Sequence, residues 1–265
     1  SIVVGGDSDK FTIDSSTGAL SFASAPDFEN KSDTGANNVY DVKVMVTDNG
    51  GLTDTQDIAV TVNNVYELPV ITSGSGDTAA VSFAENKIGV VTTVTSVIDS
   101  TGTGKTYSII GGADAALFTI NSSGALSFVS APNFENKLDD GANNVYDVTV
   151  QVSDGVGGTD TQAIAVTVTN VNEAPVITSN GGGATATPIS VAENSTAVTT
   201  VTSTDVDAVK TATYSIVVGG DSDKFTIDSS TGALSFKTAP NREIPTDAGA
   251  NNVYDVKVMV TDNGG

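Results

Sequence analysis

The feature that most constrains this chain is that it copies itself. Residues 1–51 and 215–265 align without a gap, and another copy enters at Ser108, about 107 residues from each. The same landmarks recur in all three: Phe11, Phe118 and Phe225; Tyr40, Tyr146 and Tyr254; Asp48, Asp154 and Asp262. A period of this length matches one sandwich domain of roughly 100 residues and is far too long for a solenoid turn. The chain therefore reads as three beads: 1–67, a partial repeat; 68–173, a complete one; 174–265, partial again. The first begins without its two opening strands and the last stops before its closing strand. The expectation is an excerpt from a longer array, with strand donation between neighbouring molecules as the alternative. Between the first and last 51 residues every difference falls within 23–34, which corresponds to 237–248. One variable segment on a fixed framework is the mark of a solvent-facing connection.

The middle repeat predicts seven strands, near 79–84, 90–96, 106–110, 117–120, 125–128, 145–152 and 160–169. The clearest are the last two, where Tyr146, Val148, Val150 and Val152, then Ile164, Val166 and Val168, share one parity and face inward. Asn121-Ser122-Ser123-Gly124 separates two short apolar runs and reads as a turn. With 27 glycines and no window rich in Ala, Leu, Glu and Lys, helices are not expected. Seven strands fit two packed sheets, so the fold class is all-β: tandem seven-stranded, immunoglobulin-like Greek-key sandwiches in a linear array.

Acidic residues number 32 against 11 basic ones, a net charge of -21, which repels nucleic acid and anionic membrane surfaces and favours cations as partners. The absence of cysteine and histidine removes disulfides, thiolate nucleophiles and the commonest general base and transition-metal ligand. No apolar run approaches the roughly 18 residues of a membrane span, and no signal peptide opens the chain. Direct membrane insertion and nucleic-acid binding are therefore not expected. Nor is catalysis: Asp205 and Asp207, the nearest thing to a pair of catalytic carboxylates, share one turn with no aromatic platform near them.

Alternating strands sort the connections to the two ends of each sandwich. At the junction of the middle and third repeats this brings together Glu85, after the first strand, with Asn133 and Glu135, after the fifth. The linker adds Asn170, Asn172 and Glu173, and the third repeat adds Asp205, Asp207 and Asp262. Six of these are carboxylates, each close pair repelling by about 1 kcal/mol even in a water-like dielectric. Lys and Arg are scarce nearby, and Asn and Glu offer only oxygen donors to a hard cation, so Ca²⁺ is the natural counter-charge. At the first junction the candidates are Asp27, Glu29, Asn64, Glu67, Asp99 and Asp154. There Tyr66 replaces the linker Asn, and Ile98 stands where the first Asp of the pair is due, so fewer or weaker ions are expected.

Tyr214-Ser215-Ile216, Phe225-Thr226-Ile227-Asp228, Thr231-Gly232-Ala233-Leu234, Asn241-Arg242-Glu243 and the run from Tyr254 to Asp262 together resemble a cadherin repeat. So do Ala192-Glu193-Asn194, Asp205-Val206-Asp207 and the linker 170–175. The likeness extends over all of the middle repeat and over what is present of the others. It is nearest to the cadherin-type repeats of large bacterial surface and secreted proteins. What the resemblance implies is an extracellular or cell-surface extender or adhesive module, with up to three Ca²⁺ per junction held by the residues above. The linker departs from the animal form in being one residue shorter and in starting with Asn170 where Asp is usual. The strand-exchange Trp of animal adhesive cadherins is missing too, since the chain has no Trp, so their adhesion mechanism is not implied. The reading is a calcium-stiffened spacer; the alternative is a subunit of a self-assembling filament whose repeats pack or exchange strands with other copies. Gly5-Gly6-Asp7-Ser8-Asp9 and its copy at 219–223 are read as turns, and three glycosylation sequons, at Asn30, Asn121 and Asn194, receive no role.

Overall fold

A computed structural model describes residues 1–99, 101–102, 104–207 and 211–264. They divide into two compact units, one made of Ser1–Phe83, Ile88–Ala131 and Asp139–Thr167, the other of Ala84–Lys87, Pro132–Leu138 and Val168–Gly265. Every regular element among the described residues is a strand or a single 3-10 turn.

In the first unit the middle repeat forms its sandwich. One sheet runs in the order Thr106–Gly111, Val145–Ser153, Thr159–Thr169, Thr78–Ala84, and the other in the order Phe118–Ile120, Ala125–Phe128, Val90–Thr93. The expected inward parity is what the burial shows: Tyr146, Val148, Val150, Val152, Ile164 and Val166 are all at most 1% exposed. Phe118 stacks on Phe128 at 4.4 Å, and the Tyr146 ring meets Phe128 edge-on at 5.2 Å, an arrangement that favours the ring quadrupoles. The same triad recurs as Phe11, Phe22 and Tyr40 in the first repeat. At the predicted turn, Gly124 has a φ of 83°, and a Cβ there would overlap the Val94 carbonyl oxygen, so only glycine serves.

The strand expected over 90–96 is two. Val90–Thr93 pairs with Ala125–Phe128, whereas Ser96–Val97 pairs with a short strand that sequence reading passed over, Val70–Ile71. A 3-10 turn, Ala115–Leu117, also precedes Phe118.

In the second unit the third repeat rebuilds the same layers: Ala197–Thr200, Ala233–Phe236 and Phe225–Ile227 in one sheet, Thr213–Val217 against Lys257–Thr261 in another, and Val176–Ile177 against Ser203–Thr204. Its core is Phe225, Leu234 and Phe236, with Val198, Ile216, Tyr254 and Val258 packed around them. Its last strand starts later than its first-repeat counterpart, Val39–Thr47.

Candidate metal centre

All nine residues expected at the second junction lie in the second unit. The chain leaves the strand Thr78–Ala84 and turns at Asn86, whose φ of 58° is a left-handed value that Asn tolerates better than most residues. The Asn86 amide donates to the Pro132 carbonyl at 2.8 Å, which fixes the turn. Between strand and turn sits Glu85, 1% exposed. Its Oε1 accepts the Val171 amide at 2.8 Å and its Oε2 accepts the Phe134 amide at 2.7 Å. A single carboxylate thus clamps the linker to the connection that carries Asn133 and Glu135.

Glu135 and Glu173 close on the same point. One carboxylate oxygen from each of Glu85, Glu135 and Glu173 lies within 4.8 Å of the other two. Glu135 Oε1 faces Asn170 Nδ2 at 3.4 Å, and Glu173 Oε1 accepts from Asn86 Nδ2. Glu135 Oε2, Glu173 Oε2 and Asp205 Oδ2 are buried and accept no hydrogen bond among the described residues. Burial, and then the negative charge of Glu85, push the Glu135 carboxyl above its ordinary range. Burial followed by the charges of Glu85 and Glu135 does the same to Glu173. None of the ion pairs among the described residues reaches these groups: they join Lys10 to Asp9, Lys43 to Asp57 and Lys224 to Asp223.

The remaining candidates hold the linker from the other side. The Glu173 amide donates to Asp207 Oδ2 at 2.8 Å, and the Asp207 amide to Asp205 Oδ1 at 3.0 Å. Asn172 Nδ2 reaches Asp262 Oδ2 at 2.9 Å, while Asp262 Oδ1 takes the Gly264 amide at 2.8 Å. Asn133 closes its own turn, its Oδ1 accepting the Asn136 amide at 2.5 Å. Converging carboxylates with buried, unmet oxygens and no counter-charge suit a divalent hard cation, which takes oxygen ligands.

The first-junction candidates lie in the first unit and behave differently. Asp99 Oδ1 accepts the Thr101 amide and hydroxyl at 2.6 and 2.5 Å and Asn64 Nδ2 at 3.1 Å, while its Oδ2 accepts the Glu67 amide at 3.1 Å. These bonds, the Thr101 hydroxyl first, lower its carboxyl to about 2. Asp154, fully buried, receives the Tyr66 hydroxyl at 2.6 Å, which leads the causes that lower its carboxyl. Asp27 and Glu29 are exposed, with Asp27 Oδ1 accepting the Glu29 and Asn30 amides at 2.9 Å. No second group of three converging carboxylates occurs among the described residues.

A different set of acids passed unnoticed in the sequence. Asp7 and Asp221 lie in the two segments read as turns and Asp114 at the matching place in the middle repeat, and all three are buried. Asp114 accepts the Asp140 and Asp147 amides, each at 2.8 Å, and so pins a long connection to a core strand. Asp33, Asp139 and Asp247 close the same connection; Asp139, for example, accepts the Asn143 and Asn144 amides. The signal was present, because Asp33 and Asp247 match inside the one segment where the first and third copies differ.

The sequence model of the cadherin domain matches residues 187–265. Among solved structures, the fragment of protocadherin gamma B2 with extracellular cadherin domains 3–6 superposes with a TM-score of 0.51 at 18% identity, covering 95% of this chain and 64% of that one. Human CDH23 EC21–23 gives 0.47 at 19% identity, covering 98% of this chain and 82% of that one. Mouse cadherin-23 EC22–24 gives 0.42 at 23% identity, covering 96% and 77%. The first of these carries the fold. No curated protein matches this chain.

Proposed function

From residues 187–265, which form a cadherin domain, and from the internal copies of that domain along the chain, we propose that this protein is an extracellular spacer or adhesive segment whose second junction is stiffened by Ca²⁺. The repeats divide at 1–67, 68–173 and 174–265. The observation that carries this reading is the trio Glu85, Glu135 and Glu173, with oxygens within 4.8 Å of one another, two of the three side chains keeping a buried oxygen that no donor among the described residues meets. Asn133, Asn170, Asn172, Asp205, Asp207 and Asp262 supply further oxygens around the linker, and a cation there would draw the two sides of the linker onto one centre. Affinities of about 10⁻⁴ to 10⁻³ M, usual for extracellular modules, fill such a site outside a cell and leave it empty in the cytosol. The role is mechanical and not catalytic, in keeping with the bacterial surface form of the repeat. No helix among the described residues is long and apolar enough to cross a membrane. Other copies of the same chain are the proposed protein partners.

Titration calorimetry of the chain with CaCl2 tests the reading. Wild type takes up calcium at millimolar concentration or below, and Glu135→Gln with Glu173→Gln weakens uptake at least tenfold. Equal uptake by both proteins, or none by wild type, would overturn it.

A further inference from the structure

We infer that Tyr66 locks the joint between the first and middle repeats without a metal ion, its hydroxyl closing on Asp154 and so taking the place of a cation. The repeat makes Tyr66 the counterpart of Asn172 and Asp154 the counterpart of Asp262. At the second junction three carboxylates keep a buried oxygen that no donor among the described residues meets. At the first, both oxygens of both buried carboxylates are met. Asp154 Oδ1 takes the Val156, Gly157 and Gly158 amides at 3.0, 3.1 and 2.9 Å, and its Oδ2 takes the Tyr66 hydroxyl at 2.6 Å. Asp99 has donors from Thr101 and Asn64 on one oxygen and the Glu67 amide on the other.

Asp99 also does alone what two residues share at the second junction. It accepts the linker amide, as Asp207 does, and an amide two residues on, as Asp205 does. At this one connection the first junction uses a single carboxylate where the second uses two. Gly158 completes the fit. Its counterpart in the first repeat is Leu52, and a Cβ at 158 would overlap the Tyr66 hydroxyl oxygen and Asp154 Oδ2. The glycine leaves room for the phenol to reach the carboxylate. A cation entering here would have to displace the Tyr66 hydroxyl from Asp154, and among the described residues no carboxylate of this junction offers a buried oxygen without a donor. The chain thus carries two unlike joints, one fastened by a phenol and one awaiting a cation, and only the second half of that contrast rests on the proposed function.

Hydrogen exchange on the whole chain, in chelator and in millimolar CaCl2, tests this with wild type and Tyr66→Phe. In wild type, peptides spanning 64–69 and 154–158 exchange at one rate in both buffers, while peptides spanning 84–87, 132–138 and 168–174 slow in calcium. Tyr66→Phe speeds exchange at 64–69 and 154–158 about tenfold in either buffer. Calcium slowing 64–69 in wild type as much as 168–174, or a Tyr66→Phe chain with unchanged exchange at 64–69, overturns the inference. If calcium changes neither linker and Tyr66→Phe loosens the first, the inference stands and the calcium reading of the second junction falls.

Discussion

Glu85 Oε1 accepts the amide hydrogen of Val171 at 2.8 Å, across 86 positions of sequence, while the other oxygen of the same carboxylate holds Phe134. This buried acid fastens the linker to the connection that carries Asn133 and Glu135. Replacing it with alanine strands two backbone donors, each worth about 1–3 kcal/mol when left unmet in a buried site. Glu85→Ala should therefore lower unfolding free energy by about 2 kcal/mol or more in chelator, read from urea denaturation, and should also weaken calcium uptake. A variant as stable as wild type would separate Glu85 from the linker.

The raised carboxyls of Glu135 and Glu173 set a pH dependence whose sign is determined. Their folded-state values lie above the ordinary glutamate value of 4.5, so the folded chain binds protons more tightly than the unfolded one. The stability they contribute is whole below pH 4.5 and is lost as pH rises through the raised values. In chelator, the stability of wild type relative to the Glu135→Gln, Glu173→Gln double variant should fall between pH 4 and pH 7.5. Millimolar calcium should abolish that fall, since the ion favours the charged form. Urea titrations of both proteins at the two pH values give the comparison.

Asp114 offers a control for structure without metal. It is 5% exposed and holds the Asp140 and Asp147 amides. Asp114→Ala should cost about 2–3 kcal/mol of stability through those stranded donors and leave calcium affinity unchanged. Calorimetry on the folded variant, alongside its urea midpoint, separates the two effects.

Removing calcium should loosen the second junction before it melts the sandwiches, whose cores are apolar: Leu126, Val150 and Val166 are fully buried with no polar atom in the side chain. Small-angle scattering at 25 °C with and without chelator should show a changed maximum dimension and a broader distance distribution, while far-ultraviolet circular dichroism stays constant. An unchanged scattering curve would count against a cation-dependent joint.

Much of this architecture was legible because a strand repeats every two residues and a tandem copy repeats its landmarks. Tyr146 to Val152 and Ile164 to Val168 declare their faces by parity alone, and burial follows it. The convergence of Glu85, Glu135 and Glu173 was legible by connection parity, since they can meet only if alternate turns share an end. What escaped depended on partners remote in sequence. The stretch 90–96 divides because Thr93 faces Ala125 while Ser96 faces Ile71, a change of neighbour that local pattern does not record. Asp7 was read only as part of a turn and Asp114 drew no reading, because their donors lie about 27 and 26 positions away or more. Tyr66 read as the loss of a ligand, and its gain, the bond to Asp154, appears only when residues 88 positions apart are set side by side.

The most direct measurement is a crystal structure of the chain grown in millimolar CaCl2, with data collected at long wavelength to locate calcium by its anomalous signal. The account predicts a peak among Glu85, Glu135 and Glu173, at about 2.3–2.6 Å from their oxygens, and none beside Tyr66 and Asp154. Glu85, Glu135 and Glu173 turned away from one another with no peak between them would contradict it.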